Sequence, residues 1–275
     1  MKRRHWLALI LFVVAAALLS LWLARAFLVA RYARAYFRDH GIDAAVEIGE
    51  LGFAGVSGRF ALGPADAPDV SADQIELKFD PLQWKPVVVE VRLVHPLVRA
   101  RIGADGRVTL GSLQSWIDSL GRQQGKSDYV SDNLTVSLTD LRALLATPAG
   151  PLEADGDVRL VRNVPISAVL RLRPTALAWK NAHVVLRAAS LNYEGDKADV
   201  HFSGDAAYMG QVVRGMDAAL AVSGLHWSGQ NLSATQAHLQ ASTQSSGPVS
   251  EPRLDLTASN VTVTGADVSA DLSAM

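Results

Sequence analysis

The stretch RLVHPLVRARIGADGRVTLGSL, residues 92–113, has the residue types of a reactive cluster. It places one histidine, four arginines and one aspartate within 22 residues. Imidazole, guanidinium and carboxylate groups at this density could move protons or bind an anion. The competing interpretation is the turn of a β-sheet, in which the polar side chains simply face water. The register in which the two strands pair decides between these two interpretations.

The register favours the sheet. A two-residue turn at Asp105-Gly106 would set apolar residues opposite polar ones, so it fails. A three-residue loop instead pairs Ile102 with Val108 and Ala100 with Leu110, which gives both strands one apolar face. It also predicts Gly106 as a left-handed bulge residue.

The polar residues then have structural roles. Arg101 pairs with Thr109 and points outward, as does Arg99, while Asp105 belongs to the turn. Proline disfavours the helical region for the residue before it, so we expect His95 to be extended.

No other spacing indicates catalysis or a metal site. The chain has no cysteine and no phosphate-binding or nucleophile-elbow motif, and its histidines never stand two or four residues from another ligand type. We therefore predict no catalytic residue, no metal and no cofactor, with an exported enzyme as the disfavoured alternative. The histidines are His5, His40, His95, His183, His201, His226 and His238.

Charge is distributed unevenly. Residues 1–38 hold seven of the 26 basic side chains and no acid, which leaves 19 basic against 27 acidic side chains, a formal charge of −8, for residues 39–275. Nucleic-acid affinity comes mainly from neutralised phosphates, so we predict no nucleic-acid partner.

The N-terminus carries a candidate membrane anchor. Trp6 to Leu23 is an uncharged run of 18 residues, about the minimum that spans a bilayer. A cleaved signal peptide is the alternative, but its apolar region should be shorter, and the Ala24-Arg25-Ala26 site has arginine between the alanines. Basic residues flank the run on both sides, so charge alone leaves the topology open.

Residues 24–38 continue in helical register. Arg31, Arg34 and Arg38 share one narrow arc of that helix, opposite most of its apolar residues. This predicts a basic face resting on anionic headgroups at the membrane surface, although a solvated face beside a domain fits equally well.

Beyond residue 42 the apolar period changes from 3.6 to 2. Segments such as Leu134–Leu138, Ile166–Leu172 and Leu254–Leu256 alternate apolar with polar residues and are separated by turn signals. We predict a mainly β protein with an antiparallel meander of 15–20 strands, about 70–95 Å across if all strands stack in one direction. After Trp227 no aromatic residue follows, which is typical of a one-sided sheet lined by small aliphatic residues.

One short helix interrupts the strands. Leu113, Trp116, Ile117 and Leu120 follow helical spacing, with Ser112 as the N-cap, so we predict a helix over 113–120. The polar loop after it suggests three parts. These are 1–38 (cytoplasmic tip, anchor and basic helix), 39–125 (membrane-proximal β module) and 126–275 (repeating β-strand region).

The order of these features resembles a known superfamily. The basic-flanked anchor, Leu51-Gly-Phe, VRLVHPLVRAR, ADGRVTLGSL and NLTVSLTDLRALLATPAGP over 133–151 are similar to the start of AsmA-like proteins, most of all the YdbH branch, relatives of TamB. The resemblance implies the N-terminal portion of a longer protein, or a short form completed by a partner.

The resemblance also implies a function. It suggests a single inner-membrane helix with a cytoplasmic N-terminus, and a twisted, U-shaped β-groove in the periplasm that carries phospholipid between the inner and outer membranes. Expected partners are the inner membrane, phospholipids and an outer-membrane protein or lipoprotein added at the open sheet edge. The alternative is a structural or secretion-accessory envelope protein whose strands close into a sandwich and bind other proteins.

If a groove forms, the strand register identifies its lining. The predicted lining residues are Val89, Val91, Ala100, Ile102, Val108, Leu110, Leu134, Val136, Leu138, Ile166, Ala168 and Leu170.

Overall fold

The computed structural model describes residues 24–80, 82–83, 85, 87–104, 107–122, 130–162, 164–208, 211–228, 231–244, 253–264 and 267–274. The candidate anchor, Trp6 to Leu23, and the turn residues Asp105 and Gly106 lie outside these ranges. Within them, no helix combines the length and the apolar character needed to cross a membrane.

One β-sheet accounts for most of the described residues, which confirms the mainly β class. Its seventeen strands are β1 (Ala44–Leu51), β2 (Gly55–Leu62), β3 (Val70–Phe79), β4 (Val88–Val94), β5 (Leu97–Ile102), β6 (Val108–Thr109), β7 (Val130–Thr147), β8 (Gly150–Val161), β9 (Val164–Leu172), β10 (Thr175–Trp179), β11 (Ala182–Glu194), β12 (Lys197–Tyr208), β13 (Gln211–Ser223), β14 (His226–Ser228), β15 (Asn231–Gln244), β16 (Arg253–Thr264) and β17 (Asp267–Ala274).

The sheet is narrower than its strand number suggests. In three cases two consecutive strands are the halves of one broken strand and occupy a single position in the sheet. These are β4 with β5, β9 with β10, and β13 with β14. Strand β6 pairs with the end of β5 and adds no further position. Thirteen positions at about 4.8 Å span about 58 Å, less than the 70–95 Å expected from the sequence.

The pairing is antiparallel with one exception. Strands β4 and β5 both lie parallel to β7, with Val91 opposite Val136 and Ala100 opposite Leu145. A parallel pair needs a crossover connection, and residues 103–129 supply it. Strands from both sides of residue 125 therefore belong to one sheet, and the predicted division at that residue stays a prediction.

The described chain begins in a helix, α1, at residues 24–39. Gly41 adopts a φ of 75°, and the N–H of Ile42 donates to the carbonyl oxygen of Phe37 at 3.0 Å. This is the hydrogen bond of a Schellman motif, and it brings Phe37 against Ile42, which is 1% exposed. The turn leads directly into β1.

The predicted short helix is present with different ends. A 3-10 turn over Gly111–Leu113 precedes α2, Gln114–Arg122. The N-cap assignment of Ser112 was wrong, since Ser112 lies inside the 3-10 turn and donates through its N–H and Oγ to Asp69 Oδ2, at 2.8 and 2.6 Å. The partner is 43 residues away in sequence, beyond the reach of a local capping rule.

Strands bend where left-handed residues of neighbouring strands align. His95 (φ 50°) lies opposite Asp140 (φ 54°), and the β7–β8 register shifts beside Gly156 (φ 154°); we call these three residues the first crease. The expectation of an extended His95 was wrong. Its Nε2 lies 3.5 Å from Asp140 Oδ2 of β7 and its Nδ1 3.4 Å from Asp73 Oδ2 of β3, so its side chain faces carboxylates of two neighbouring strands.

A second crease crosses the later strands at Arg187, Asp205 and Gly215, where the register shifts in β11, β12 and β13. Bulges bend a strand and increase its twist. In β7, β8, β11, β12 and β13 the crease residues lie inside the strand rather than at its ends.

Candidate functional site

One face of the sheet is apolar from the first strand onward. We call this the inner face, and its side chains stand opposite one another in every pairing. The first ladder of partners, from β1 to β8, is Leu51, Val56, Leu77, Val91, Val136 and Leu160.

The inner face continues without interruption to the last strands. From β9 and β11 onward, the inner-face side chains of neighbouring strands are again directly opposed. The second ladder is Leu170, Leu191, Val200, Leu220, Leu239 and Leu256.

The residues predicted to line a groove lie on this inner face, with one departure. The hairpin pairs Ile102–Val108 and Arg101–Thr109 form as predicted. Ala100, however, pairs with Leu145 of β7 rather than with Leu110. Leu110 lies outside the strands and packs against the buried cluster beneath the helices.

The other predicted residues fall on alternate positions of three strands. Val136 and Leu138 stand opposite Val91 and Leu93 of β4, and Ala168 stands opposite Val158 of β8. The remainder, Val89, Leu134, Ile166 and Leu170, follow the same alternation within β4, β7 and β9.

No second sheet covers the inner face within the described residues, because all seventeen strands belong to one sheet. Yet inner-face residues such as Leu141 and Ala154 are 8% and 7% exposed. We call this sheltered apolar face the trough.

In the part of the chain that the structure describes, helices cover the beginning of the trough. Leu113 is 2% exposed and packs with Ile42 and Leu62, and Phe37 of α1 meets Trp116 of α2 edge to face at 5.5 Å. This cluster, which we call the cap, also contacts Phe60, Val70, Ala44, Leu110 and Ile117. It closes the inner face over β1–β3 and leaves the later strands uncovered by it.

The opposite, outer face is charged. Arg59 pairs with Glu47 at 2.7 Å and Lys78 with Glu90 at 2.8 Å, in both cases across directly opposed strand positions. Exposed pairs of this kind contribute about 0–1 kcal/mol each. Their main consequence is to mark which side of the sheet faces water.

Carboxylates also hold the creases in place from the outer face. Asp157 Oδ1 accepts from the N–H of Asp140 at 2.9 Å, and Asp205 Oδ1 accepts from the N–H of Gly215 at 2.8 Å. The Gly215 hydrogen bond, followed by that from Arg187, lowers the pKa of Asp205 below its usual range. Each carboxylate therefore satisfies a backbone donor that the bulge leaves without a ladder partner.

Arg99 of the opening stretch is engaged by the protein's own backbone. Arg99 and Arg101 lie on the outer face beside a cleft of about 600 Å³, together with Arg173. Arg99 Nη1 donates to the Pro68 carbonyl oxygen at 2.9 Å, and Arg173 is engaged by Asp155 at 2.7 Å and by Glu153 at 3.1 Å. Among the described residues, no three histidine or carboxylate side chains are grouped so as to hold a metal ion.

The predicted basic face lies on α1. Arg31, Arg34 and Arg38 are exposed, and Arg34 Nε donates to the Ala30 carbonyl oxygen at 3.2 Å. Ala30 itself is 4% exposed, so α1 packs against the protein on one side. Large apolar side chains remain exposed elsewhere on the same helix, with Tyr32 at 76%.

Comparison with known proteins gives one family. The family described as "YdbH-like: Intermembrane phospholipid transport protein YdbH" matches residues 12–274. No curated protein matches the chain.

Proposed function

The chain belongs to the YdbH-like family of intermembrane phospholipid transport proteins, and we propose that its trough carries the acyl chains of phospholipid while the headgroups stay in water. The observation that carries this proposal is the pair of inner-face ladders, which run from Leu51 of β1 to Leu160 of β8 and from Leu170 of β9 to Leu256 of β16, with no second sheet over them in the described residues. The family function is transport, which agrees with the expectation of a protein that is not an enzyme.

The proposed mechanism needs no reactive group. Each acyl CH₂ moved from water into an apolar trough gains about 0.8 kcal/mol, so a chain of many methylenes is held firmly out of water. Neighbouring positions along the trough offer the same aliphatic side chains, such as Leu220 followed by Leu239. A lipid can therefore move along the trough between sites of nearly equal free energy.

The location follows from the same family function. Transport between membranes implies the bacterial envelope, and we propose that Trp6 to Leu23 anchors the chain in the inner membrane with its body in the periplasm. Arg31, Arg34 and Arg38 would then rest on anionic headgroups where α1 leaves the bilayer. An outer-membrane protein or lipoprotein that adds a strand to the open sheet edge would extend the route.

The test uses the period of two along each strand. A photo-crosslinking amino acid at Ile102, Val136 or Leu170 should capture phospholipid in cells. The matched controls are the adjacent outer-face positions Arg101 and Ser137, which should capture none. Equal capture at inner and outer positions, or no capture at all three inner positions, would overturn the proposal.

A further inference from the structure

The contacts of the cap with β1–β3 are confined to one end of each strand. Ala44 of β1, Leu62 of β2 and Val70 of β3 are partners in one row across these strands, next to the connection from α1. All three belong to the cap or contact it, and so does Phe60, which lies in the next inner-face row. We call the inner-face residues of these two rows the near half; they are Ala44, Val46, Phe60, Leu62, Val70 and Ala72.

The same three strands carry further apolar residues at their other ends. We call these the far half; they are Ile48, Leu51, Val56, Ile75 and Leu77, in two more rows of the inner face. None of these five residues packs against Ile42, Leu62 or Leu113, which form the buried core of the cap. The inner face of the first strands is therefore divided into an end that the cap contacts and an end that it does not.

The length of the strands explains this division. Leu77 follows Val70 by seven residues in β3, which is about 23 Å along the strand. Helix α2 has nine residues and is therefore about 14 Å long, and a helix with its side chains is about 10–12 Å wide. A helix that packs beside Leu62 and Val70 does not extend from there to Leu77 in either dimension.

The far half is continuous with the rest of the trough. Leu77 stands opposite Val91 of β4, and Val91 stands opposite Val136 of β7. Leu77 is half-buried, whereas Leu62 and Ala72 of the near half are 7% and 4% exposed. An acyl chain in the trough can therefore continue across the far half to β1, but over the near half it would have to displace a packed core.

We propose that phospholipid acyl chains occupy the far half of the trough at its first three strands, and that the cap is a stop that keeps them out of the near half. The inference rests on the trough as the lipid site of the proposed function. It adds which end of β1–β3 holds lipid, and it gives the cap a role in lipid binding besides the packing of the helices.

The test places the reactive group on the lipid, so that the cap is left undisturbed. The full chain would be reconstituted into vesicles of phosphatidylethanolamine and phosphatidylglycerol that include phosphatidylethanolamine with a diazirine in one acyl chain. Light converts the diazirine to a carbene, which inserts into the C–H bonds of aliphatic side chains, and fragment-ion mass spectrometry locates the adducts. We expect adducts at Leu51, Val56 and Leu77 and a loss of labelling at Leu62 and Val70. Equal labelling of the two halves would overturn the inference.

A variant of the cap tests the cause of the exclusion. Leu113→Asp places a carboxylate at a site that is 2% exposed, and an unpaired buried charge is costly, so α2 should leave the sheet and adducts should appear at Val70. Val108→Asp, at a site that is 56% exposed and outside the cap, should leave Val70 unlabelled.

Hydrogen exchange shows which part of the variant has opened. Fast exchange in α2 with protected β2 and β3 means that the cap alone has left the sheet, and absence of adducts at Val70 in that state would refute the role of the cap. If β2 and β3 lose protection as well, the milder Leu113→Ala replaces Leu113→Asp and is assessed in the same way.

Labelling at Val136 separates this inference from the proposed function. Adducts at Val136 with none at Leu77 would keep the trough as a lipid site and remove the far half from it. Absence of adducts at both Val136 and Leu77 would overturn the trough as a lipid site, and this inference with it.

Discussion

Replacing Gly156 by alanine should open the first crease. At Gly156 the backbone has a φ of 154°, and a Cβ built there would lie 1.8 Å from the Val169 carbonyl oxygen and 3.0 Å from Leu170 Cα. Real Cβ atoms essentially never come closer than 3.0 Å, so β8 and β9 must separate locally by about 1.2 Å. Backbone is the obstacle, which leaves no flexible side chain to move aside.

The expected cost has two parts. A non-glycine residue in this backbone region costs about 1–3 kcal/mol. Each ladder hydrogen bond lost when the strands separate adds about 1 kcal/mol. With one such bond lost, we expect the local opening free energy of the β8–β9 pair to fall by about 2–4 kcal/mol, which is roughly a 30- to 900-fold increase in exchange rate.

Hydrogen exchange is the appropriate assay, because a long sheet in which each strand contacts only its neighbours need not unfold in two states. Peptides covering β8 and β9 should exchange faster in Gly156→Ala. The matched control is Gly195→Ala in the β11–β12 turn, where φ is 63° but nothing lies within 4 Å of the added Cβ, so only about 1 kcal/mol should be lost. Equal protection of β8 and β9 in the two variants would refute the role assigned to the crease.

Two further outcomes follow from the second crease and from the cap. Because the folded pKa of Asp205 is lowered, its ionised form stabilises the fold above the unfolded value near 3.8, and that stability is lost as pH falls through the folded pKa. Asp205→Asn should therefore lower the thermal midpoint at neutral pH and differ little from the parent chain in acid, and a deficit of the same size at both pH values would contradict this reasoning. Leu113→Ala empties a site that is 2% exposed and should lower the opening free energy of the cap, measured by hydrogen exchange, by about 2–5 kcal/mol, whereas Val108→Ala, at 56% exposure, should cost much less. Similar losses in these two variants would show that the cap is not a packed core.

Side-chain alternation was sufficient to predict the faces of the strands. Ile102 pairs with Val108 because only that register gives both strands one apolar face, and the same rule placed Val136 and Leu170 on the inner face. Alternation does not reveal strand direction. The parallel pairing of β5 with β7 therefore differed from the predicted meander, and Ala100 gained Leu145 as its partner in place of Leu110.

Backbone conformation at the creases was not accessible from the sequence. The rule for residues before proline predicted an extended His95, yet φ is 50° because the bend in β7 at Asp140 lies directly opposite. Left-handed residues in this chain include aspartate, arginine and lysine as well as glycine, so no residue type marks them. A crease is a property of several paired strands, and local propensity describes one strand at a time.

The creases explain how a single sheet can present a sheltered apolar face. A sandwich would cover the inner face with a second sheet, whereas the described residues form one creased sheet with the cap over β1–β3. A face built in this way is sheltered but not filled, and its lining is aliphatic along each ladder, as at Leu191 and Val200. Aliphatic side chains distinguish poorly between acyl chains, because one methylene changes the transfer free energy by only about 0.8 kcal/mol. Under the proposed function, any selection among phospholipids must therefore come from polar groups at the rims or from the membrane surface. Substitution of inner-face leucines by valine should change the amount of lipid that is carried and leave the headgroup composition of that lipid unchanged.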